Sequence, residues 1–126
     1  MALSTRREAL ALLAVAAAGC ARRSPPPEPG ATRLPLAAFA GERRVRVLHE
    51  GLPAEVLLGP GGPVARSLVC THRGCEVRWQ EEAGRYRCPC HFGEYDAEGR
   101  VLGGEPLRPL RTLEAALEGG EVVVRG

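Results

Sequence analysis

Cys70-Thr71-His72-Arg73-Gly74-Cys75 and Cys88-Pro89-Cys90-His91 contain four of the chain's five cysteines and two of its three histidines. The spacing is Cys-x-His, fifteen residues, then Cys-x-x-His. Each knot includes a Gly or Pro that lets the backbone turn sharply, so sulfur and nitrogen atoms can close around one point. Spacing alone leaves open a tetrahedral zinc site, which four such ligands would satisfy. It also leaves open a metal-free pair of disulfides, which gives the histidines no role.

Outward from the two knots, the sequence reads as strand. Arg44 to His49, Glu55 to Leu58, Val64 to Val69, Glu76 to Gln80, Arg85 to Arg87 and Val122 to Arg125 are short β-like runs. Gly59-Pro60-Gly61-Gly62-Pro63, Glu82-Ala83-Gly84, Gly99 and Gly119-Gly120 separate them. The pattern predicts an all-β domain, with Leu113 to Leu117 compatible with a short helix. His49 reads as a half-exposed strand residue, and Phe39 and Trp79 as packing residues. Glu42, Arg44 and Arg46 read as a solvated strand face.

With 126 residues and 44% apolar composition, the chain has room for one small core, and domains of this size often lean on disulfides or metal. Seventeen basic residues are scattered among fifteen acidic ones, for a net charge of +2. That distribution argues against a nucleic acid partner.

The N-terminus has a targeting layout. Thr5-Arg6-Arg7 precedes an uncharged run from Ala9 to Gly19 that ends Ala17-Ala18-Gly19-Cys20. As a helix the run would extend roughly 16 Å, about half of a bilayer core of roughly 30 Å, so it does not span. The Arg pair resembles a twin-arginine signal for proteins exported already folded. Residues 17–20 resemble a bacterial lipobox, which makes Cys20 the lipidation candidate and residues 1–19 the signal peptide. Residues 20–32, with Pro25-Pro26-Pro27 and Pro29, read as an extended linker. The domain is then expected over residues 33–126.

The two knots resemble the two boxes of Rieske iron–sulfur proteins, whose [2Fe–2S] cluster has two Cys on one iron and two His on the other. The resemblance covers roughly residues 64 to 125 and implies a Rieske fold of antiparallel sheets, with a cluster-binding subdomain over about 68–108. It implies Cys70 and Cys88 on the buried iron and His72 and His91 on the outer one. It also implies a disulfide between Cys75 and Cys90, as in quinol-oxidising members. Gly103-Gly104-Glu105-Pro106 resembles the proline-containing loop that covers the cluster. Tyr95 falls where high-potential members carry a Tyr that donates to a cysteine sulfur, which stabilises the reduced cluster and raises its potential.

Two positions depart from high-potential members. Phe92-Gly93 stands where they read Gly-Ser, so a serine hydroxyl that donates to a bridging sulfide is missing and a lower potential is expected. Arg73 replaces a Leu that packs near docked quinone. The function implied is one-electron transfer by an exported bacterial protein, tethered to the extracytoplasmic membrane face through Cys20. Its partners are then redox proteins (a cytochrome or a catalytic subunit), and quinol in a quinol–cytochrome c reductase-like setting. The alternatives are a small Rieske subunit beside a molybdenum oxidase, as in arsenite oxidase, and a Rieske-type ferredoxin. A lone cluster relays electrons, so no catalytic residue is assigned.

Overall fold

The computed structural model describes residues 28–106 and 108–126. The signal-like segment 1–19, Cys20 and the linker as far as residue 27 lie outside the described residues. No helix among the described residues is long and apolar enough to cross a membrane.

The strands are β1 (Thr32–Pro35), β2 (Arg44–His49), β3 (Leu52–Gly59), β4 (Gly62–Ser67), β5 (Arg78–Gln80), β6 (Arg85–Arg87), β7 (Glu94–Tyr95), β8 (Val101–Gly103), β9 (Thr112–Glu118) and β10 (Glu121–Arg125). A single turn of 3-10 helix, Leu36–Phe39, follows β1. The larger sheet has the order β1-β10-β9-β4-β3-β2 and the smaller one β5-β6-β7-β8, all neighbours antiparallel. The all-β architecture is therefore as expected.

Tight hairpins set the register of the larger sheet. His49 pairs with Leu52 across Glu50 and Gly51, whose φ values are 51° and 79°. Glu118 pairs with Glu121 across Gly119 and Gly120, at 58° and 82°. Two consecutive left-handed residues match the natural twist of antiparallel strands. Ala54, Val56, Ala65, Leu113, Val122 and Val124 then point to one face and pack with Phe39 into a core.

Leu113 to Leu117 forms part of β9 rather than a helix. Leu113 and Ala115 alternate toward the core, and β9 is paired on one side with β4 and on the other with β10. Ladder pairing on both sides outweighs the helix preference of Leu, Glu and Ala.

The chain between Ser67 and Thr112 leaves and re-enters the larger sheet at adjacent strands, since Ala65 pairs with Leu113 and Arg66 with Thr112. This excursion builds the smaller sheet and a second core of Leu68, Cys70, Val77, Tyr86, Cys88, Tyr95 and Leu110. It folds back over β2 and β3. Arg44 lies 3.6 Å above the Trp79 ring and donates to Glu55 Oε1 at 2.5 Å. The Tyr86 hydroxyl donates to the same oxygen at 2.7 Å, and Arg66 donates to Tyr86 at 3.2 Å. Burial, reinforced by the Glu55 carboxylate, raises the Tyr86 phenol above its ordinary pKa and keeps it a donor.

Two sequence expectations are corrected here. Arg44 is half-buried against Trp79, because the excursion covers that end of β2, whereas Glu42 and Arg46 are exposed as expected, Arg46 in an ion pair with Glu76. His49 is buried, with Nδ1 2.9 Å from Thr32 Oγ1, because β1 and the C-terminal residue close over the end of β2.

Candidate metal centre

The two cysteine–histidine loops lie at one end of the smaller sheet, and local backbone bonds shape both. In the first, Cys70 N–H donates to Cys75 O at 2.7 Å and Gly74 N–H to Cys70 O at 2.9 Å, with Gly74 at φ 79°. In the second, Cys88 N–H donates to Gly93 O at 2.8 Å. Phe92 takes φ 57° there, a left-handed conformation uncommon for a bulky residue, and its ring is exposed.

These turns separate the two kinds of donor by depth. Cys70 and Cys88 are free thiols, 3% and 2% exposed, packed in the second core. His72 and His91 stand toward the surface with ring centroids 4.8 Å apart and planes at 88°. Cys75 and Cys90 form a disulfide that ties the two loops together. The Gly103–Pro106 segment closes over the second loop. A Cβ on Gly93 would lie 2.8 Å from the Pro106 ring, and one on Gly104 only 2.7 Å from Gly93 Cα. Only glycine fits at both positions.

The Rieske [2Fe–2S] domain family matches residues 34–114, most of the chain. The chain belongs to the Rieske [2Fe–2S] family. The cytochrome b6-f complex iron-sulfur subunit of Chlorobaculum tepidum is 37% identical over 70 residues, 55% of this chain and 39% of that protein. The corresponding subunit of Prochlorococcus marinus is 32% identical over 89 residues, 68% of this chain and 50% of that protein. The matched regions thus span half or less of these relatives. Among solved structures, a cyanobacterial plasma membrane Rieske protein from Synechocystis superposes with a TM-score of 0.64 at 28% identity, covering 75% of this chain and 99% of that one. A chain of a hyperthermophilic respiratory Complex III gives 0.60 at 25% identity, covering 92% and 91%.

Membership in the Rieske family brings a [2Fe–2S] cluster and Rieske-type electron transfer, and the donors present fit that group. Two buried thiols lie beneath two imidazoles, and His72 Nδ1 is buried with no hydrogen-bond partner, as expected of an atom reserved for a metal. The zinc reading therefore gives way to the cluster. The metal-free reading, with two bridges, fails because one disulfide forms and two thiols stay free. Cys75, Cys88 and Cys90 do bring their sulfurs within 4.8 Å of one another, but the disulfide removes two of the three as ligands.

Tyr95 is fully buried, with its hydroxyl 3.3 Å from Cys70 Sγ. The hydroxyl accepts from Thr71 N–H at 3.2 Å and lies 3.0 Å from Thr71 Oγ1. Thr71 gives its own proton to Arg108 O at 2.8 Å, so toward Tyr95 it can only accept. The one phenolic proton therefore has two competing acceptors, Cys70 sulfur and Thr71 oxygen. Burial raises the Cys70 thiol pKa. Hydrogen bonds from Tyr95, the His72 and Arg73 amides and neighbouring Cys88 outweigh that and bring it below the ordinary thiol value. Burial and the bond to Cys70 hold Tyr95 above the usual phenol value.

Two features of the site escape the sequence reading. Thr71 enters the Tyr95 network, and Glu105 places Oε2 2.8 Å from His72 Nε2. The available signal for the second was a lone acidic residue in an otherwise uncharged Gly-Gly-Glu-Pro loop. A cavity of about 620 Å³ is lined by Arg43, Arg44, Trp79 and Glu98 among others. Its lining includes none of Cys70, His72, Cys88 and His91.

Proposed function

We propose that Cys70 and Cys88 hold the inner iron of the cluster and His72 and His91 the outer one, and that the protein is the exported electron-carrying subunit of a respiratory oxidoreductase. The observation that carries this reading is the depth ordering of the donors: buried free thiols below, an edge-to-face pair of imidazoles above, and a disulfide beside them. When bound, the cluster takes up and returns one electron.

The chain's own residues govern how readily it does so. Tyr95, by donating to Cys70 sulfur, favours the more negative reduced state. The Pro106 ring fills the space next to Gly93, where high-potential members place a serine, so that donor is absent and the potential falls below theirs. The disulfide and the Pro106 loop hold the two boxes together and keep water from the thiols. The cysteine–histidine face is supported as the electron gate by the exposure of His91.

The similarity to cytochrome b6-f and Complex III proteins supports a quinol–cytochrome c reductase-like setting. A second reading, a small Rieske subunit that takes electrons from a larger catalytic subunit, is favoured by exposed Arg73 in the first box, a cation where an apolar quinone contact would otherwise lie. In both, residues 1–19 direct export and Cys20 carries the lipid anchor, with residues 20–32 as spacer and 33–126 as the domain.

Paramagnetic resonance of the reduced protein, with and without a quinone-site inhibitor, tests this. A Rieske signal that shifts with the inhibitor supports the first setting, and an unmoved signal supports the second. Reconstituted protein that stays colourless and silent overturns the ligand assignment. Fatty-acid labelling of cells should be lost in Cys20→Ala, and retained label would remove Cys20 as the anchor.

A further inference from the structure

The two box histidines differ in what surrounds them. His72 has a 20% exposed side chain, its Nδ1 is buried without a partner, and its Nε2 faces the Glu105 carboxylate at 2.8 Å. His91 is exposed, and no ion pair reaches it among the described residues. Glu105 is placed by the loop that carries it: Gly104 at φ 88° lies against Gly93, and buried Pro106 packs on the same glycine. That loop has little freedom to withdraw, although the Glu105 side chain is itself 64% exposed.

We propose that Glu105 is a stopper on His72. Its carboxylate occupies Nε2, fixes the ring with Nδ1 turned inward, and leaves His91 as the one box histidine open to an incoming partner. A partner that docks through hydrogen bonds to imidazole meets one free ring, not two. The fixed negative charge beside His72 also opposes addition of an electron nearby, so Glu105 lowers the potential. Glu105 is a positioning residue in this role, and the inference rests on the ligand assignment above.

The test uses the reconstituted holoprotein, in which a metal-bound Nδ1 leaves Nε2 as the reactive nitrogen of each box histidine. Diethyl pyrocarbonate, which acylates an imidazole nitrogen as that nitrogen gives up its proton to solvent, is applied to the oxidised protein at mildly alkaline pH and the labelled peptides are mapped by mass. In the parent protein His91 labels at least tenfold faster than His72. Glu105→Ala raises His72 labelling about tenfold and leaves His91 unchanged. Glu105→Gln, which keeps an acceptor oxygen but loses the charge, keeps His72 protected.

Redox titration at one pH separates the charge from the contact. Both variants raise the midpoint, by up to about 59 mV, a tenfold change in the one-electron equilibrium constant. A loosened loop with no stopper role would not make the Gln variant combine a raised midpoint with protection. Equal labelling of the two histidines in the parent, or an Ala variant with unchanged labelling and midpoint, overturns the inference while the cluster spectrum stands. A parent protein that yields no cluster spectrum overturns the ligand assignment and this inference with it.

Discussion

The two sheets are held together by different means. The larger has strands of four to eight residues, and its inward Val, Leu and Ala side chains form a continuous apolar core with Phe39 of the 3-10 turn. The smaller has strands of two or three residues, too short to bury much apolar surface alone. It depends on a disulfide, on glycines that admit Pro106, on the Tyr95 contacts and on the Arg44–Glu55–Tyr86–Arg66 bonds to its neighbour. Its own core, with Leu68, Val77 and Leu110, also holds two free thiols, and cross-links and polar bonds supplement the aliphatic packing there.

The sharpest way to break this contrast is Phe39→Ala. Phe39 is 3% exposed in the larger core, and its truncation should cost about 3–5 kcal/mol of global stability in denaturant titration. Protein that remains folded should retain its cluster spectrum; a spectrum lost before the strands melt would show that the sheets are not separable in this way. The converse is Cys75→Ser with Cys90→Ser. Releasing a bridge across 15 residues should remove about 3 kcal/mol, seen first as cluster bleaching on heating and only later as loss of the β signal by circular dichroism.

Smaller changes sharpen the contrast within the site. His91→Cys replaces a neutral donor by a charged one, so the midpoint should fall, and an unchanged value would contradict the role assigned to His91. Tyr95→Phe removes the donor to Cys70 sulfur and should lower the midpoint by less than a tenfold change in the equilibrium constant. Thr71→Val should have the smallest effect and the opposite sign. With its second acceptor gone, the Tyr95 proton is left to the sulfur and the midpoint rises slightly.

The sequence made the candidate centre visible because its donor residues sit in two compact knots, where spacing and turn residues carry the meaning. Hairpin turns were equally legible at Gly119-Gly120 and around Gly59. Long-range partners were not. Arg44 reads the same whether water or the Trp79 ring covers it, and Glu105 lies far along the chain from the His72 it reaches. β1 is four residues ending in Pro and becomes a strand only because β10 offers it an edge. β9 carries helix-forming residues that two neighbouring strands hold extended.

The excursion between β4 and β9 departs and returns through one gap, where Ser67 N–H bonds Arg111 O at 2.8 Å. Insertion at a single doorway makes the redox head a cassette. Its loops can lengthen, shorten or change sequence without altering the register of the frame. Grafting residues 68–111 between the equivalent strands of a relative would transplant the electron-carrying tip only if the host strands also carry the counterparts of Arg44, Glu55 and Arg66 that hold Trp79 and Tyr86.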